Sequence, residues 1–132
     1  MKISTKTRYG MRFMIDLAQY EGEGCVALKD VAERQGISKK YLEQVVAPLV
    51  AAELLTVTRG NQGGYRLARP AAEITLADVV AASEDGLDLL DCMGTLSVCE
   101  RAEDCPSRRV WGGLQDALTG YLEGRTLADV ID

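Results

Sequence analysis

The stretch LKDVAERQGISKKYLEQVVAPLVAAELLTVTRGNQGGYRLAR, residues 28–69, contains two short helical patterns followed directly by a hairpin pattern. Apolar residues recur at helical spacing over residues 28–35, and Gly36 suits the left-handed position that follows a helix end. Ser38 is a favourable N-cap for a second helix over residues 39–52. Two short helices joined by such a tight turn predict a helix-turn-helix.

The second predicted helix has one apolar and one polar face. The apolar face follows the i, i+3, i+4, i+7 pattern of a buried stripe and consists of Leu42, Val45, Val46 and Leu49. The polar face carries Lys39, Lys40, Glu43 and Gln44. Pro48 lies inside the pattern and predicts a bend or an early end. Helical spacing also predicts a first helix over residues 5–20.

A β-hairpin is predicted immediately after the second helix. Extended runs over residues 55–59 and 65–68 flank the glycine-rich turn GNQGG. The hairpin is basic, since it contains Arg59, Arg66 and Arg69. A helix-turn-helix followed by a hairpin is typical of a winged helix, and we predict a winged helix-turn-helix domain over residues 1–70.

Residues 71–132 are predicted to be helical. Thr75 and Asp78 form a capping-box-like pair at the start of TLADVVAAS. Pro106, at a first helical position, opens a long helix over residues 106–122. A second TLADV near the end of the sequence is interpreted as another capping box and not as a repeat. The predicted fold class is mainly α with a small β-wing, a winged helix-turn-helix domain plus a long dimerisation helix.

The long helix carries an apolar seam. Its residues Trp111, Leu114, Leu118 and Tyr121 are spaced 3, 4, 3, which resembles a short a/d seam. We predict that the seam pairs with a second copy of the chain, because a chain of 132 residues offers little else to cover it. Packing within one chain is the alternative.

The composition is that of a soluble globular chain, with 47% hydrophobic and 27% charged residues. There is no run of about 18 apolar residues that would suggest a membrane span. The first residues show no apolar segment ahead of a small-residue cleavage site. We therefore expect a cytoplasmic protein, in which clustered thiols are reduced and act as ligands or sensors.

The net charge of −5 hides an asymmetry between the two halves of the chain. Residues 1–70 contain eleven Lys/Arg and seven Asp/Glu, which gives +4. Residues 71–132 contain four Lys/Arg and thirteen Asp/Glu, which gives −9, and the two values sum to the total of −5. A basic half of this kind suits phosphate binding.

The winged helix predicts binding to double-stranded DNA. In such folds the second helix enters the major groove with its N-terminal residues at the base edges. We expect base contacts from Ser38, Tyr41, Glu43 and Gln44, and phosphate contacts from Lys39 and Lys40. Arg59 at the base of the wing is expected in a minor groove. A winged helix used only for protein contacts is the alternative.

Three cysteines occupy the acidic half, in DCMGTLSVCERAEDCPSRRVW, residues 91–111. Cys92, Cys99 and Cys105 have the spacing C-x6-C-x5-C, which is not that of a zinc ribbon. Three thiolates in the loop 91–105 suit an iron–sulfur cluster, and a helix start with nearby arginines favours negative charge. Inert buried cysteines, a zinc site and a thiol switch remain open.

Several stretches resemble the IscR/NsrR/CymR family of bacterial transcriptional regulators. The most specific are YLEQ and RGNQGGY, and the resemblance covers nearly the whole chain. It implies a homodimer that reads a pseudo-palindromic DNA site through Ser38, Glu43, Gln44 and Arg59. It also implies an iron–sulfur cluster at the three cysteines, with one extra residue between the first two. We expect the 2Fe–2S form rather than 4Fe–4S, sensing cluster supply, redox state or nitric oxide.

The family's fourth cluster ligand has no counterpart in this sequence. Where relatives place a histidine three residues after the third cysteine, this chain has Arg108, and where others place an acidic residue early in the first helix it has Arg8. Arginine is a very poor ligand. The remaining candidates are Asp91, Glu100, Glu103, Asp104 and Cys25. We therefore predict an atypical, labile cluster.

Other classes of function are less consistent with the sequence. An enzyme or electron carrier built on the cluster would lack a nucleotide fingerprint and a histidine for acid–base work. The alternatives that keep DNA binding are a regulator controlled by a thiol–disulfide switch or by zinc. We predict no enzymatic activity.

Overall fold

The computed structural model describes residues 2–20, 22, 24–84, 88–90, 100–101 and 103–131. The helices and strands within these residues are numbered in chain order: α1 Thr5–Tyr20, α2 Leu28–Gln35, α3 Lys39–Ala51, β1 Leu55–Thr58, β2 Gly64–Leu67, α4 Leu76–Ser83, α5 Pro106–Glu123 and α6 Leu127–Val130. A single 3-10 turn, Ala71–Glu73, precedes α4.

The predicted winged helix is confirmed. α1 and α2 have the predicted bounds, and the antiparallel pair β1–β2 forms the wing. α3 continues through Pro48 and ends at Ala51, one residue before the predicted end. Each strand ends one residue earlier than predicted and β2 also begins one residue earlier, while α5 extends one residue further, to Glu123.

The core lies where α1 crosses α3. Phe13 and Leu17 of α1 are fully buried, and so are Leu42, Val45 and Leu49 of α3, as the apolar spacing predicted. The same core includes four residues from beyond the wing, namely Ile74, Leu76, Val79 and Leu127. The division of the chain into residues 1–70 and 71–132 stays a prediction, since these later residues share the core of the winged helix.

Local capping fixes the helix boundaries around the turn. Gly36 adopts the left-handed conformation with φ 66° and ψ 34°, as its position predicted. The Ser38 hydroxyl accepts a hydrogen bond of 3.1 Å from the Tyr41 backbone N–H, which caps α3. Because Gly36 ends one helix and Ser38 starts the next, the turn between α2 and α3 is as short as the sequence indicated.

The two TLADV segments meet in space. Both form capping boxes, in which Asp78 and Asp129 accept hydrogen bonds from the backbone N–H groups of Thr75 and Thr126, at 2.9 Å each. The two threonines also form an isolated antiparallel bridge. This bridge is what holds α6 against the start of α4, with Leu127 fully buried.

The wing is locked against the segment that precedes α2. Val26 and Tyr65 exchange backbone hydrogen bonds of 2.9 and 2.8 Å. A Cβ on Gly64 would lie only 2.3 Å from the Val26 carbonyl oxygen, and a Cβ on Gly63 only 2.0 Å from the Thr58 carbonyl oxygen. Gly63 and Gly64 are therefore required, because the neighbouring backbone leaves no room for a Cβ at either position.

In contrast, α5 has no buried residue in the monomer. Several of its large apolar side chains are exposed, namely Val110, Trp111, Leu118 and Tyr121. It packs mainly on α4. Among the described residues, no helix is both long and apolar enough to cross a membrane.

The close approach at Gly64 yields a stability prediction. Gly64→Ala should lower the free energy of unfolding by on the order of 2 kcal/mol, because the added Cβ meets backbone that cannot move without breaking the Val26–Tyr65 pairing. Gly120→Ala is the control, since a Cβ there meets nothing within 4 Å; it should be neutral or stabilising. Urea unfolding of both variants measures this, and equal midpoints for Gly64→Ala and wild type would contradict the packing described.

Candidate nucleic-acid interface and metal centre

The start of α3 presents a polar surface. Five of the seven residues predicted to contact DNA are exposed there, namely Ser38, Lys39, Lys40, Glu43 and Gln44. The apolar stripe on the opposite side of α3 is buried in the core. The structure therefore brings these five side chains together on one face that is free of apolar contacts to the rest of the chain.

Tyr41 has a partly different environment. It is half-buried, and its ring meets that of Tyr9 edge-on at a centroid distance of 5.7 Å. The Arg12 guanidinium lies over the other ring of the pair, 5.2 Å from the Tyr9 centroid. Tyr41 thus joins the start of α3 to α1, in addition to any contact that it makes with DNA.

The arginines of the wing fall into two groups. Arg59, which follows β1, and Arg66 in β2 are exposed. Arg69 lies 3.4 Å from the Asp78 carboxylate and so ties the end of the wing to α4. Arg59 therefore remains well placed for the predicted contact, whereas Arg69 has a partner within the chain that the sequence did not reveal.

Tyr65 joins the wing to α1. Tyr65 of β2 packs edge-on against Phe13, with ring centroids 5.6 Å apart. Burial raises the pKa of Tyr65, and the negative charge of Glu43 adds to the rise. Glu43 on α3 is therefore close enough to Tyr65 of the wing for its charge to affect the pKa of Tyr65.

Cys105 lies at the positive end of α5. It is the N-cap residue, with Pro106 at the first helical position, and it is half-buried. It opens onto a surface hollow of about 470 Å³, whose other lining residues are Glu103, Arg108, Arg109, Gly112, Gly113 and Asp116. The hollow thus brings two arginines and two carboxylates together beside the start of α5. Cys92 and Cys99 lie outside the described residues.

The candidate fourth ligands are dispersed. Glu100, Glu103 and Asp104 are exposed close to Cys105 in sequence, whereas Cys25 is half-buried between α1 and α2. Asp91 lies outside the described residues. Across 2–20, 22, 24–84, 88–90, 100–101 and 103–131, no three ligand-type side chains are gathered as a metal site.

The two arginines at the family's ligand positions lie on different helices. Arg8 is exposed on α1, where its guanidinium donates a hydrogen bond of 3.2 Å to the Thr5 hydroxyl. Arg108 lies in the first turn of α5 and lines the same hollow as Cys105. Arg108 therefore contributes positive charge beside the thiol instead of a ligand atom.

The segment that enters the cysteine loop is anchored to α1. Glu84, directly after α4, accepts a hydrogen bond of 3.0 Å from the Ser4 backbone N–H. This bond, with further bonds from the Thr7 and Ser4 side chains, lowers the pKa of Glu84. Glu84 thus serves as a cap for the N-terminus of α1, contributed from a distant part of the chain.

Comparison with known proteins identifies the family. Residues 3–132 match the Rrf2 family model, described as an iron-dependent transcriptional regulator. The chain belongs to the Rrf2 family. Protein rrf2 of Nitratidesulfovibrio vulgaris is 40% identical over 99% of this chain and 87% of the relative. The transcriptional regulator IscR of Photorhabdus laumondii is 36% identical over 100% and 80%.

Solved structures identify the same family. CymR of B. subtilis superposes with a TM-score of 0.83 at 37% identity, covering 99% of this chain and 96% of that one. T. potens IscR superposes with a TM-score of 0.80 at 40% identity, covering 99% and 86%. The Rrf2-family resemblance and the winged helix are thereby confirmed. The chain is a DNA-binding transcriptional regulator and not an enzyme.

The lowered pKa of Glu84 predicts a pH-dependent contribution to stability. Because the folded-state pKa lies below the usual value of about 4.3, the contribution is present above that pH and is lost as pH falls through the folded-state pKa. Glu84→Gln should cost up to about 1 kcal/mol at pH 7, since solvent screens a partly exposed group, and almost nothing well below pH 4.

Thermal unfolding of Glu84→Gln and wild type between pH 3 and pH 7 measures this difference. Glu73→Gln, which removes an exposed carboxylate from the turn before α4, is the control for net charge. A difference between Glu84→Gln and wild type that stays constant with pH would contradict the capping role.

Proposed function

We propose that this Rrf2-family chain is a homodimer whose DNA affinity is set by an iron–sulfur cluster bound at Cys92, Cys99 and Cys105. The observation that carries the proposal is the position of Cys105. Its thiol opens at the start of α5 onto a hollow that also contains Arg108 and Arg109. The start of the helix and the two arginines would attract an anionic thiolate-bound group, although Glu103 and Asp116 in the same lining balance the formal charge of the arginines.

The donor set around this hollow fits such a group. Cys105 would hold it together with the two other thiols of the loop, and Glu103 lines the same hollow as a source of oxygen. The family description, which specifies iron dependence, gives independent support. When bound, the cluster supplies iron that responds to cluster supply, redox state or nitric oxide.

The chain offers a route from the cysteine loop to the DNA-reading helix. Glu84 lies at the entrance to the loop and is bonded to Ser4 at the start of α1. α1 then meets the start of α3 through the contact between Tyr9 and Tyr41. In the proposed dimer, cluster binding at the loop would act along this route as a shift between two populations that differ in how the two winged helices, and with them the two α3 helices, are placed relative to each other.

Dimer formation is supported by the exposed apolar residues of α5. Trp111 is 42% exposed and Tyr121 is 56% exposed, and both belong to the seam predicted from the sequence. A groove of about 530 Å³ between α5 and α1 contains Leu118 and Tyr121, and its lining is mostly apolar. A second copy packed on this face would hold two α3 helices for the two halves of a pseudo-palindromic site.

A second candidate is a regulator controlled by thiol oxidation. Staphylococcus aureus CymR, described in an oxidized form, superposes with a TM-score of 0.77 at 38% identity, covering 100% of this chain and 97% of that one. In this case two of the loop cysteines would form a disulfide without a cluster. A zinc-controlled version would use the same thiols.

The cluster proposal is tested by the spectrum of protein purified without oxygen. We expect absorption at roughly 320–460 nm from sulfide-to-iron charge transfer, with iron and sulfide in matching amounts. Cys105→Ala should lose both, because it removes a ligand, whereas Ser107→Ala should retain them, since it removes only the acceptor of the Trp111 indole N–H. Colourless wild-type protein, even after anaerobic reconstitution, would favour the thiol or zinc alternative.

The absorption spectra of variants test the identity of the fourth cluster ligand. Alanine substitution of the true ligand should shift the absorption or speed the loss of iron in air. The set to be substituted is Asp91, Glu100, Glu103, Asp104 and Cys25. Unchanged spectra throughout this set would reject the proposal that the ligand comes from it.

The DNA surface is tested by comparing two substitutions on α3. Gln44→Ala should lower discrimination by about 1–3 kcal/mol at one base position, because it removes base contacts. Lys39→Ala should weaken binding to all sequences alike and lower the salt slope by about 1, because it removes a phosphate contact. The probes are a duplex selected from a random pool by the wild-type chain, expected to bind two chains, and its scrambled version.

Arg125→Ala is the charge control for this comparison, since Arg125 lies outside α3 and the wing; because Arg125 stacks on Tyr121 of the seam, the variant is first shown to have the same molecular mass in solution as wild type. It should leave both affinities unchanged. Equal losses on selected and scrambled duplexes from both α3 variants would reject the assigned roles.

A further inference from the structure

Asp16 is a buried carboxylate inside the apolar face of α1. Its side chain is 1% exposed, and it lies between the buried residues Phe13, Met14 and Leu17. Among the described residues, Asp16 and Thr7 are the buried polar ones. A carboxylate in such a position must be paired and hydrogen-bonded to persist.

Its partners are the last two residues of α2. The Arg34 guanidinium forms two bonds with the carboxylate, Nη2 to Oδ1 at 2.6 Å and Nε to Oδ2 at 3.0 Å. The Gln35 side-chain amide donates to Oδ2 at 2.9 Å. The hydrogen bond to Asp16 raises the pKa of Arg34.

Two more side chains of α1 hold the same end of α2. The Arg34 guanidinium lies 4.1 Å from the centroid of the Tyr20 ring. Arg12 donates from Nε to the Gln35 side-chain oxygen at 3.0 Å and from Nη2 to the Gln35 carbonyl oxygen. Positions 12, 16 and 20 share one side of α1, since they are four residues apart.

This contact lies next to the turn of the helix-turn-helix. Only Gly36 and Ile37 separate Gln35 from Ser38, the N-cap of α3. The Ile37 N–H bonds to the Ala32 carbonyl at 3.0 Å, so the turn itself continues rigidly from the end of α2. A fixed end of α2 therefore fixes the direction in which α3 begins.

A buried ion pair contributes little net stability to a fold. Apolar residues of similar volume often stabilise a buried position as well as a paired carboxylate does. Directed bonds to a planar guanidinium and an amide, however, fix one orientation of α2 relative to α1. Apolar packing does not fix the orientation in this way. The site is thus suited to holding a helix end in one orientation.

We infer that Asp16 is a positioning residue for DNA recognition, which sets the orientation of α3 by holding Arg34 and Gln35 at the end of α2. The inference rests on the proposed use of α3 as the reading helix. Asp16 touches no DNA in this scheme; it acts through the turn.

The test separates positioning from stability. Asp16→Asn keeps the shape of the side chain but removes the charge that binds Arg34 in two places. Val79→Ala is the matched control, because Val79 is fully buried in α4 and its truncation destabilises the core away from the turn. The readout is the ratio of dissociation constants for the scrambled and the wild-type-selected duplex, measured at a temperature where both variants are folded.

We expect this ratio to fall about tenfold in Asp16→Asn and to stay at the wild-type value in Val79→Ala. Arg34→Lys, which keeps the charge but cannot form both bonds, should give a smaller fall and covers the case in which Asp16→Asn does not fold. A wild-type ratio in whichever of these two variants folds would overturn the inference.

Amide hydrogen exchange provides a second readout that requires no DNA. In Asp16→Asn or Arg34→Lys the N–H groups of Ile37 and Tyr41 should exchange faster relative to those in the middle of α3, and in Val79→Ala they should not. If wild type selects no DNA sequence, the reading role of α3 fails, and exchange still decides whether Asp16 fixes the turn. Unchanged relative exchange in the folded variant overturns the inference.

Discussion

The amphipathic character of α3 is the constraint on which the rest of the structure depends. One side of this helix must be buried for the chain to fold, and the other must remain polar and exposed. Leu42, Val45 and Leu49 are fully buried, and each contributes roughly 1.5–3 kcal/mol through removal from water. α1, α2 and α4 all pack on α3. The start of α3 is capped by Ser38, and its charged and amide side chains are exposed.

The features that the sequence predicted well are local. Capping residues, a left-handed glycine and helical spacing act within a few residues, so the helix-turn-helix, the hairpin and both capping boxes were predictable. The features that were missed join distant parts of the chain. Arg69 pairs with Asp78, and Glu84 caps α1 from eighty residues away. The signal for Asp16 was present, since a carboxylate inside an apolar stripe requires a partner, but nothing in the sequence identified Arg34 as that partner.

The fourth ligand of the proposed cluster could not be predicted for the same reason. The sequence predicted Cys105 at a helix start near Arg108 and Arg109, and it does lie there, but Glu103 and Asp116 line the same hollow. The fourth ligand depends on which distant side chain approaches the loop, and in a dimer that side chain can come from the partner. Sequence spacing cannot specify such a contact, because the contact joins residues that are distant in the sequence. The resemblance to relatives does not supply it either, since the positions that they use are arginines in this chain.

The unequal packing of the two parts of the molecule suits a regulator. The helices α1, α2 and α3 are joined by fully buried side chains and by the bonds at Asp16, so displacing one of them relative to the others would disrupt the core. α5 has no buried residue in the monomer and packs mainly on α4. A change at the cysteine loop can therefore shift α5 and its apolar seam at little cost to the core, whereas a change within the core would cost several kcal/mol for each truncated side chain. In the proposed dimer, a signal received at the cysteines would thus alter the relative placement of two winged helices, not the internal structure of either one.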